Sequence, residues 1–455
     1  MSTKTDSAPA VPGKEEAGAG TAAAPYPNPV YSWFVVGILV LVAIVSYIDR
    51  QVVAIVVDPM QTDLGIGDAL TGLLYSIFAI FYAVAGLPLA WLADRYSRKH
   101  LIAAGVFFWS LMTMACGLSK NFWHILIARI GVGVGEASLT PATNSMVGDY
   151  FPRERIPLAL SIFQTGAIMG SGIAFVIGGA ALDLAESYPL SLPVVGDLAP
   201  WQQTFLYVGA PGLLLAVVML MIKEPVRRYV ISATDASGNP AAPMKELLTF
   251  YRENLGTFVF HHLGFLFLAL SGYAFVFWSV TFFTRVHGMD SAEASQIFGL
   301  IFLIAGPFGV VWAAIQARWF ERRGMRDGNI VAAMLGGFLS IPVVLAIQVM
   351  PNATWAFVLY APAMFFVNSP FGLAYGALPV ITPPQMRAQI AAVYMFVVSL
   401  GMLLGPTVAG VFNEQIFPGP DGVRYSLMTV TSLFGLTGVG LLWIGRKFYA
   451  ASHAH

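Results

Sequence analysis

Charge is what this chain has least of. Only 11% of its 455 residues are Asp, Glu, Lys or Arg, against 57% hydrophobic, and mean hydropathy is +0.72. An ordinary soluble domain carries about 25% charged residues, so this composition excludes one and requires a chain embedded mostly in lipid. Cys116 is the single cysteine, which rules out an intramolecular disulfide and leaves the compartment unreadable from thiols. A glycine-rich phosphate loop ending in Lys-Ser or Lys-Thr is missing, which argues against ATP hydrolysis as an energy source. Neither a His-Glu-x-x-His pair nor a Gly-x-Ser-x-Gly nucleophile turn in a suitable context is found, so neither an enzyme nor a metal or organic cofactor is expected. Formal net charge is zero, and no nucleic-acid partner is expected. Residues 1–29 are rich in Ala, Pro, Gly and charge, without the apolar core of a cleaved signal, and read as a disordered tail.

What abounds is uninterrupted apolar sequence. Twelve runs, the first at 31–57 and the last at 425–445, are long enough to cross a membrane, whose hydrocarbon core is about 30 Å thick. They carry no polar residue at alternate positions, so they predict helices and not barrel strands. Of the 24 Lys and Arg, Arg50 and Arg129 fall inside runs, only Lys120, Arg285 and Arg424 fall on one side, and the rest gather on the side of the termini. That asymmetry, and the even number of spans, predict an integral protein of a plasma or inner membrane with both termini in the cytoplasm. The longest connection divides the chain into a tail (1–29), a six-helix bundle (30–222), a cytoplasmic linker (223–254), a second six-helix bundle (255–447) and a short tail (448–455). Within the linker, Ser237, Gly238, Asn239 and Pro240 mark a turn, and Met244 to Tyr251 suit an amphipathic surface helix.

The two bundles echo each other. The second run leads from Gly86 to Ala93-Asp94-Arg95-Tyr96-Ser97-Arg98-Lys99, and the eighth from Gly309 to Ala317-Arg318-Trp319-Phe320-Glu321-Arg322-Arg323. Gly166, Gly170, Gly172, Gly178 and Gly179 stud the fifth run, and Gly401, Gly405, Pro406 and Gly410 answer in the eleventh. Two halves in one orientation suit a carrier that rocks them about a midplane site. The charged cluster Asp94, Arg95, Arg98 and Lys99, partly repeated at Arg318, reads either as topogenic charge or as a cytoplasmic gate.

Four ionisable residues lie deep inside runs: Asp49 and Arg50 in the first, Arg129 and Glu136 in the fourth. Such residues survive in lipid only when paired or facing a wet cavity. Arg129 and Glu136 are two helical turns apart, within about 20° on one face. Asp49 lies roughly 24 Å from one end of its helix and Glu136 roughly 21 Å from the opposite end of its own, so the two reach similar depth. Asp49 and Glu136 are therefore candidate proton carriers, and Arg50 and Arg129 candidate grips for a phosphate or carboxylate head group that competes with the carboxylates. The bland alternative is an ion pair that fixes packing; adjacent Asp49 and Arg50 point about 100° apart, so one of them can be structural. Tyr82 and Asn368 are candidate polar groups of the cavity. His261 and His262 sit near a helix start, where a hydrated interfacial pair is the commoner arrangement than a relay, and Gly131 with Gly135 suits close helix contact. Outside their ends, the last six runs hold no Asp, Glu, Lys or Arg, only residues such as Phe275, Phe277, Trp278, Phe365 and Phe366. One charged wall and one oily wall suit a small amphiphile with an anionic head.

Asp94, Arg95, Arg98 and Lys99, together with the fifth-run glycines, resemble motifs of the major facilitator superfamily, and the resemblance covers nearly the whole chain. Ala90 and Ser97 stand where glycines are usual, and Ser171 where proline is typical. More narrowly, Tyr47-Ile48-Asp49-Arg50, the stretch from Arg129 to Ser138, Gly148-Asp149-Tyr150-Phe151 and Gly170-Ser171-Gly172 are similar to the Spinster group of lipid carriers. The resemblance implies an all-α membrane protein of twelve transmembrane helices in two pseudo-symmetric bundles, acting as a monomer. It implies export of lysophospholipids or sphingosine 1-phosphate, with protons as the coupling ion and membrane lipids as surroundings. The competing expectations are a proton-coupled exporter of drugs or hydrophobic organic anions, and a non-transporting receptor on a carrier scaffold.

Overall fold

The computed structural model describes residues 26–193, 195–228 and 243–452. The first half contains α1 (Pro29–Ile55), α2 (Val57–Leu64), α3 (Asp68–Arg95), α4 (Arg98–Gly117), α5 (Phe122–Glu136), α6 (Leu139–Tyr150), α7 (Ile156–Ser187) and α8 (Pro200–Met221). After α9 (Met244–Glu253) the second half follows with α10 (Leu255–His287), α11 (Ser291–Arg322), α12 (Gly328–Gln348), α13 (Ala353–Ile381), α14 (Arg387–Val411), α15 (Gly422–Val430) and α16 (Leu436–Ser452). Twelve stretches are long and apolar enough to cross a membrane, with α5–α6 and α15–α16 each making one span. Among the described residues the only strands are Ser191–Leu192 and Gly196–Asp197, a short antiparallel pair between α7 and α8.

Helix ends follow local chemistry. Asn28, Asn121, Asp290 and Asn352 each cap the next helix through a side-chain oxygen, satisfying backbone N–H groups that lipid cannot. Gly65 and Gly288 close α2 and α10 at φ 62° and 64°, a left-handed conformation that favours glycine. Several helices overrun the apolar runs: α7 continues to Ser187, α11 spans Ser291–Arg322, and α16 reaches Ser452, into the expected C-terminal tail. A helix bonds its own backbone and need not stop where hydrocarbon does. α2 has no counterpart in the sequence reading, and the turn expected at Ser237 to Pro240 lies outside the described residues. α9 falls within the linker and buries Leu247.

The halves meet along two glycine-lined seams, α3 against α14 and α7 against α11. A Cβ on Gly72 would sit 2.5 Å from the Pro406 carbonyl oxygen, and one on Gly172 2.6 Å from the Leu303 nitrogen. Ser76 Oγ and Thr407 Oγ1 lie 2.7 Å apart across the first seam, and Ser295 Oγ donates to the Phe175 carbonyl at 2.8 Å across the second. Aromatic pairs Tyr75–Phe277 and Phe175–Phe298, with centroids 4.8 and 4.7 Å apart, fill the space between. All of these contacts lie towards the side opposite the termini. Towards the termini, Leu87 of α3 is 80% exposed and Phe396 of α14 60% exposed, and a Cβ on Gly86 would meet nothing within 4 Å. The bundles are clasped on the far side and parted on the terminal side. Gly179 and Gly410 also meet the opposite half, at the Ala292 and Asp68 carbonyls, whereas Gly166, Gly170 and Gly178 of α7 pack against α1, and Gly401 and Gly405 of α14 against α10, the same relation in both bundles.

Candidate functional site

The site begins with helical spacing on α1. Ser46 and Arg50 are four apart and share a face, and both donate to one oxygen of Glu136: Ser46 Oγ at 2.6 Å and Arg50 Nε at 2.7 Å from Oε2. Glu136 reaches them because α5 is stripped of side chains around it. A Cβ on Gly133 would lie 2.6 Å from the Phe78 carbonyl oxygen on α3, and one on Gly135 2.8 Å from Trp109 Cβ on α4. Gly131 and Gly135 make the close helix contacts expected of them.

Arg50 is the centre of the site. Its guanidinium carbon stands 4.8 Å from the Tyr47 ring, 4.8 Å from Phe78 and 5.0 Å from Tyr82, a cage of three aromatic faces. Nε is committed to Glu136, and the two Nη nitrogens have no protein partner among the described residues. The side chain is 14% exposed and borders a cavity of about 200 Å³ between the halves. The first half contributes Tyr47, Gln51, Tyr75 and Ser171 to that cavity, and the second half Tyr273, Val276, Phe302, Asn368 and Phe371. Asn368 donates through Nδ2 to the Met364 carbonyl at 2.8 Å, leaving Oδ1 without a protein partner among the described residues. Tyr82 meets Thr140 Oγ1 at 3.2 Å and serves the site as a ring beneath Arg50.

The other pair turns away. Arg129 and Asp49 are fully buried, and Arg129 Nη1 donates to the backbone oxygen of Asp49 at 2.8 Å, not to its carboxylate. The four deep charges do gather, but they divide: Arg50 borders the cavity with Glu136 bonded behind it, while Arg129 bonds to the Asp49 backbone away from the cavity. This differs from the expectation that both arginines face the cargo. The cause is the turn of about 100° between neighbours on a helix, which sends Asp49 and Arg50 to different sides of α1.

The cluster at the end of α3 binds within its own half. Arg98 is buried, with Nη1 on Asp149 and Nε 2.8 Å from Glu224 Oε1. Glu224 also accepts from Ser97 Oγ and from the backbone N–H groups of Arg98 and Lys99, capping α4. Partial burial pushes the Glu224 carboxyl up, but these donors outweigh it and hold the group below the ordinary glutamate range. Lys99 Nζ donates to the Leu220 carbonyl at 3.1 Å. Asp94 and Arg318 are exposed, and Arg95 lies over the Trp91 ring at 3.7 Å. Parted halves leave the residues of the expected gate on separate bundles.

Sequence reasoning missed the clasp on the far side. Arg285, at the end of α10, places Nε 2.8 Å from Asp58 of α2 and Nη1 2.7 Å from Asp68 of α3. Its Nη2 reaches Gln61 Oε1 at 2.9 Å, and Thr284 Oγ1 donates to Asp58 at 2.8 Å. Glu414 Oε2 adds a bond from the Ala69 backbone N–H at 2.9 Å. The available clue was Arg285 itself, one of only three basic residues on the charge-poor side, with Asp58 and Asp68 flanking the first two spans. His261 and His262 are buried in an aromatic cluster with Tyr394, Nδ1 to Nδ1 3.2 Å, and border no part of the central cavity.

Residues 39–406 match the family model for the Major Facilitator Superfamily. An MFS-type efflux pump of Mycolicibacterium smegmatis is 26% identical over 434 residues, covering 93% of this chain and 94% of that protein. Human Protein spinster homolog 1 is 28% identical over 414 residues, covering 86% of this chain and 74% of the human one. Among solved structures, a bacterial homolog to the human lysosomal transporter Spinster, inward-facing and occupied, superposes with a TM-score of 0.75 at 26% identity, over 94% of this chain and 98% of that one. With twelve membrane-crossing spans in two clasped halves around one cavity, the chain belongs to the Major Facilitator Superfamily, as an integral membrane transporter of the Spinster type.

Proposed function

We propose that this transporter moves an amphiphile with an anionic head, of the lysophospholipid or sphingoid-phosphate kind, by alternating access coupled to protons. The observation that carries the reading is Arg50, held by three rings with two Nη nitrogens left free where a polar wall meets an aromatic one. A guanidinium grips a phosphate or carboxylate by paired hydrogen bonds, and the tail then lies along Val276, Phe302 and Phe371. Protonation of Glu136 removes the charge that competes for Arg50; cargo release and deprotonation restore the pair. Asp49 is the second proton carrier. Both termini lie in the cytoplasm, so the parted side faces inward and the Arg285 clasp faces out. The carrier works as a monomer among membrane lipids, with protons as coupling ion and no other cofactor.

Likeness to a Spinster homolog supports the lipid class, and likeness to an efflux pump keeps a second reading alive: export of drugs or hydrophobic organic anions through the same arginine. Thermal stabilisation by a panel of lysolipids, sphingoid phosphates and organic acids at two pH values separates the two. Stabilisation by lysolipids that is lost in Arg50→Ala supports the first reading; stabilisation by organic acids alone overturns it. Net movement of the stabilising compound in proteoliposomes excludes a receptor. If Asp49→Asn and Glu136→Gln both keep wild-type pH dependence, the proton coupling is wrong.

A further inference from the structure

We propose that Trp109 and Thr113 are positioning residues of the proton site, buried donors on α4 that close on the ionised Asp49 carboxylate away from the central cavity. The inference rests on Asp49 being a proton carrier. Trp109 and Thr113 are four apart on α4 and present one face, continued by Cys116 three residues on. All three are fully buried. Gly135 admits the indole, since a Cβ there would lie 2.8 Å from Trp109 Cβ.

Hydrogen bonding around Asp49 does not close. Neither carboxylate oxygen has a partner, and neither do Trp109 Nε1, Thr113 Oγ1, Arg129 Nε and Arg129 Nη2, all of them buried. The Trp109 and Thr113 side chains face the carboxylate. Buried donors and acceptors left unpaired are costly, so six such atoms in one place point to an arrangement in which they pair. An ionised carboxylate only accepts, and offers about four sites; indole N–H and guanidinium only donate. Trp109 and Arg129 therefore gain only from the ionised form, and the Thr113 hydroxyl, which donates as well, bonds that form more strongly than the neutral one. The charged or titratable groups that face this place are Arg129 and Glu136 from α5 and Cys116 from α4, with Arg50 next along α1. α7 and α8, which also pack on α1, bring no Asp, Glu, His, Lys or Arg to this depth.

This second proton site is distinct from the cargo site. Arg50 borders the central cavity and Asp49 does not. The two lie on different faces of α1, and Arg129 bonds to the Asp49 carbonyl between them.

The test needs no cargo. Difference infrared spectroscopy of the purified full chain follows the protonated-carboxyl stretch from about pH 4 to about pH 10, and Asp49→Asn identifies its band. Thr113→Val and Trp109→Phe each remove a donor from the ionised form and are expected to raise the midpoint by about one pH unit, about tenfold in proton affinity. Thr113→Ser, which keeps the hydroxyl, restores the wild-type midpoint. Thr113 carries the test if Trp109→Phe fails to fold. An unchanged midpoint in Thr113→Val overturns the positioning role and leaves Asp49 as proton carrier intact. No Asp49 band titrating anywhere in the range overturns both.

Discussion

The two halves share a fold and differ in where polar chemistry is allowed. The first half keeps Asp49, Arg50, Arg129 and Glu136 at membrane depth. The second answers with ring stacking: Phe275 on Tyr360 at 5.0 Å and 17°, and Phe283 on Phe357 at 3.7 Å and 10°. The glycine seams, by contrast, are matched between them. Pseudo-symmetry is thus preserved along the seams and abandoned in the cavity walls, where the first half places Arg50 and the second only neutral groups, Tyr273 and Asn368 among apolar side chains. Under the function proposed above, the groups for protons and anions all belong to the first half.

The sharpest way to break this comparison is to remove charge from the first half. Arg50→Ala is expected to weaken lysolipid-dependent stabilisation by about 10- to 100-fold, the value of a charge-assisted hydrogen-bonded contact. Arg50→Lys does not restore it, because a point charge lacks the planar fork. An equally large loss in Phe302→Ala would erase the distinction between the walls. Next in size is a seam change. Gly72→Val or Gly172→Leu drives a side chain into facing backbone, at a cost of about 1–3 kcal/mol to the clasped state. Spin-label distances between the far ends of α3 and α14 are then expected to lengthen. Arg285→Gln acts in the same direction and less strongly, about 1 kcal/mol, because that arginine is partly exposed and its ion pairs are screened; addition of salt narrows the difference from wild type.

The smallest effect lies at the α4 cap. Glu224 sits below its unfolded range, so the stabilisation it gives is present above the unfolded carboxylate value and is lost as pH falls through the folded one. Glu224→Gln is expected to cost about 1 kcal/mol at neutral pH, as for a lost helix cap. The thermal midpoints of variant and wild type converge only as pH falls out of the ordinary glutamate range and through the lower folded value.

Much of the fold was legible because lipid is a strict solvent. Every span had to be a long apolar run, and a deep ionisable residue had to be explained. The same strictness exposed Asp49, Arg50, Arg129 and Glu136. Their division between cavity and wall was not legible, since it depends on how α1 is rotated by its packing against α7 and α8. The clasp escaped for the opposite reason: Arg285, Asp58 and Asp68 lie near the outer ends of their spans, where charge is cheap and its position carries little information. α2 was hidden likewise, a short polar helix beside a long apolar one. The sequence leaves two readings of the cluster at Asp94 to Lys99 open because the partners of Arg98, Asp149 and Glu224, lie far along the chain.

The π-turn at Phe412–Ile416 places Glu414 over the first turn of the opposite bundle, where its carboxylate takes the amide hydrogen of Ala69. One bundle therefore finishes a helix that belongs to the other. When the two swing apart on that side, that amide is handed to water, and its exchange with deuterium becomes a clock for each parting of the clasp.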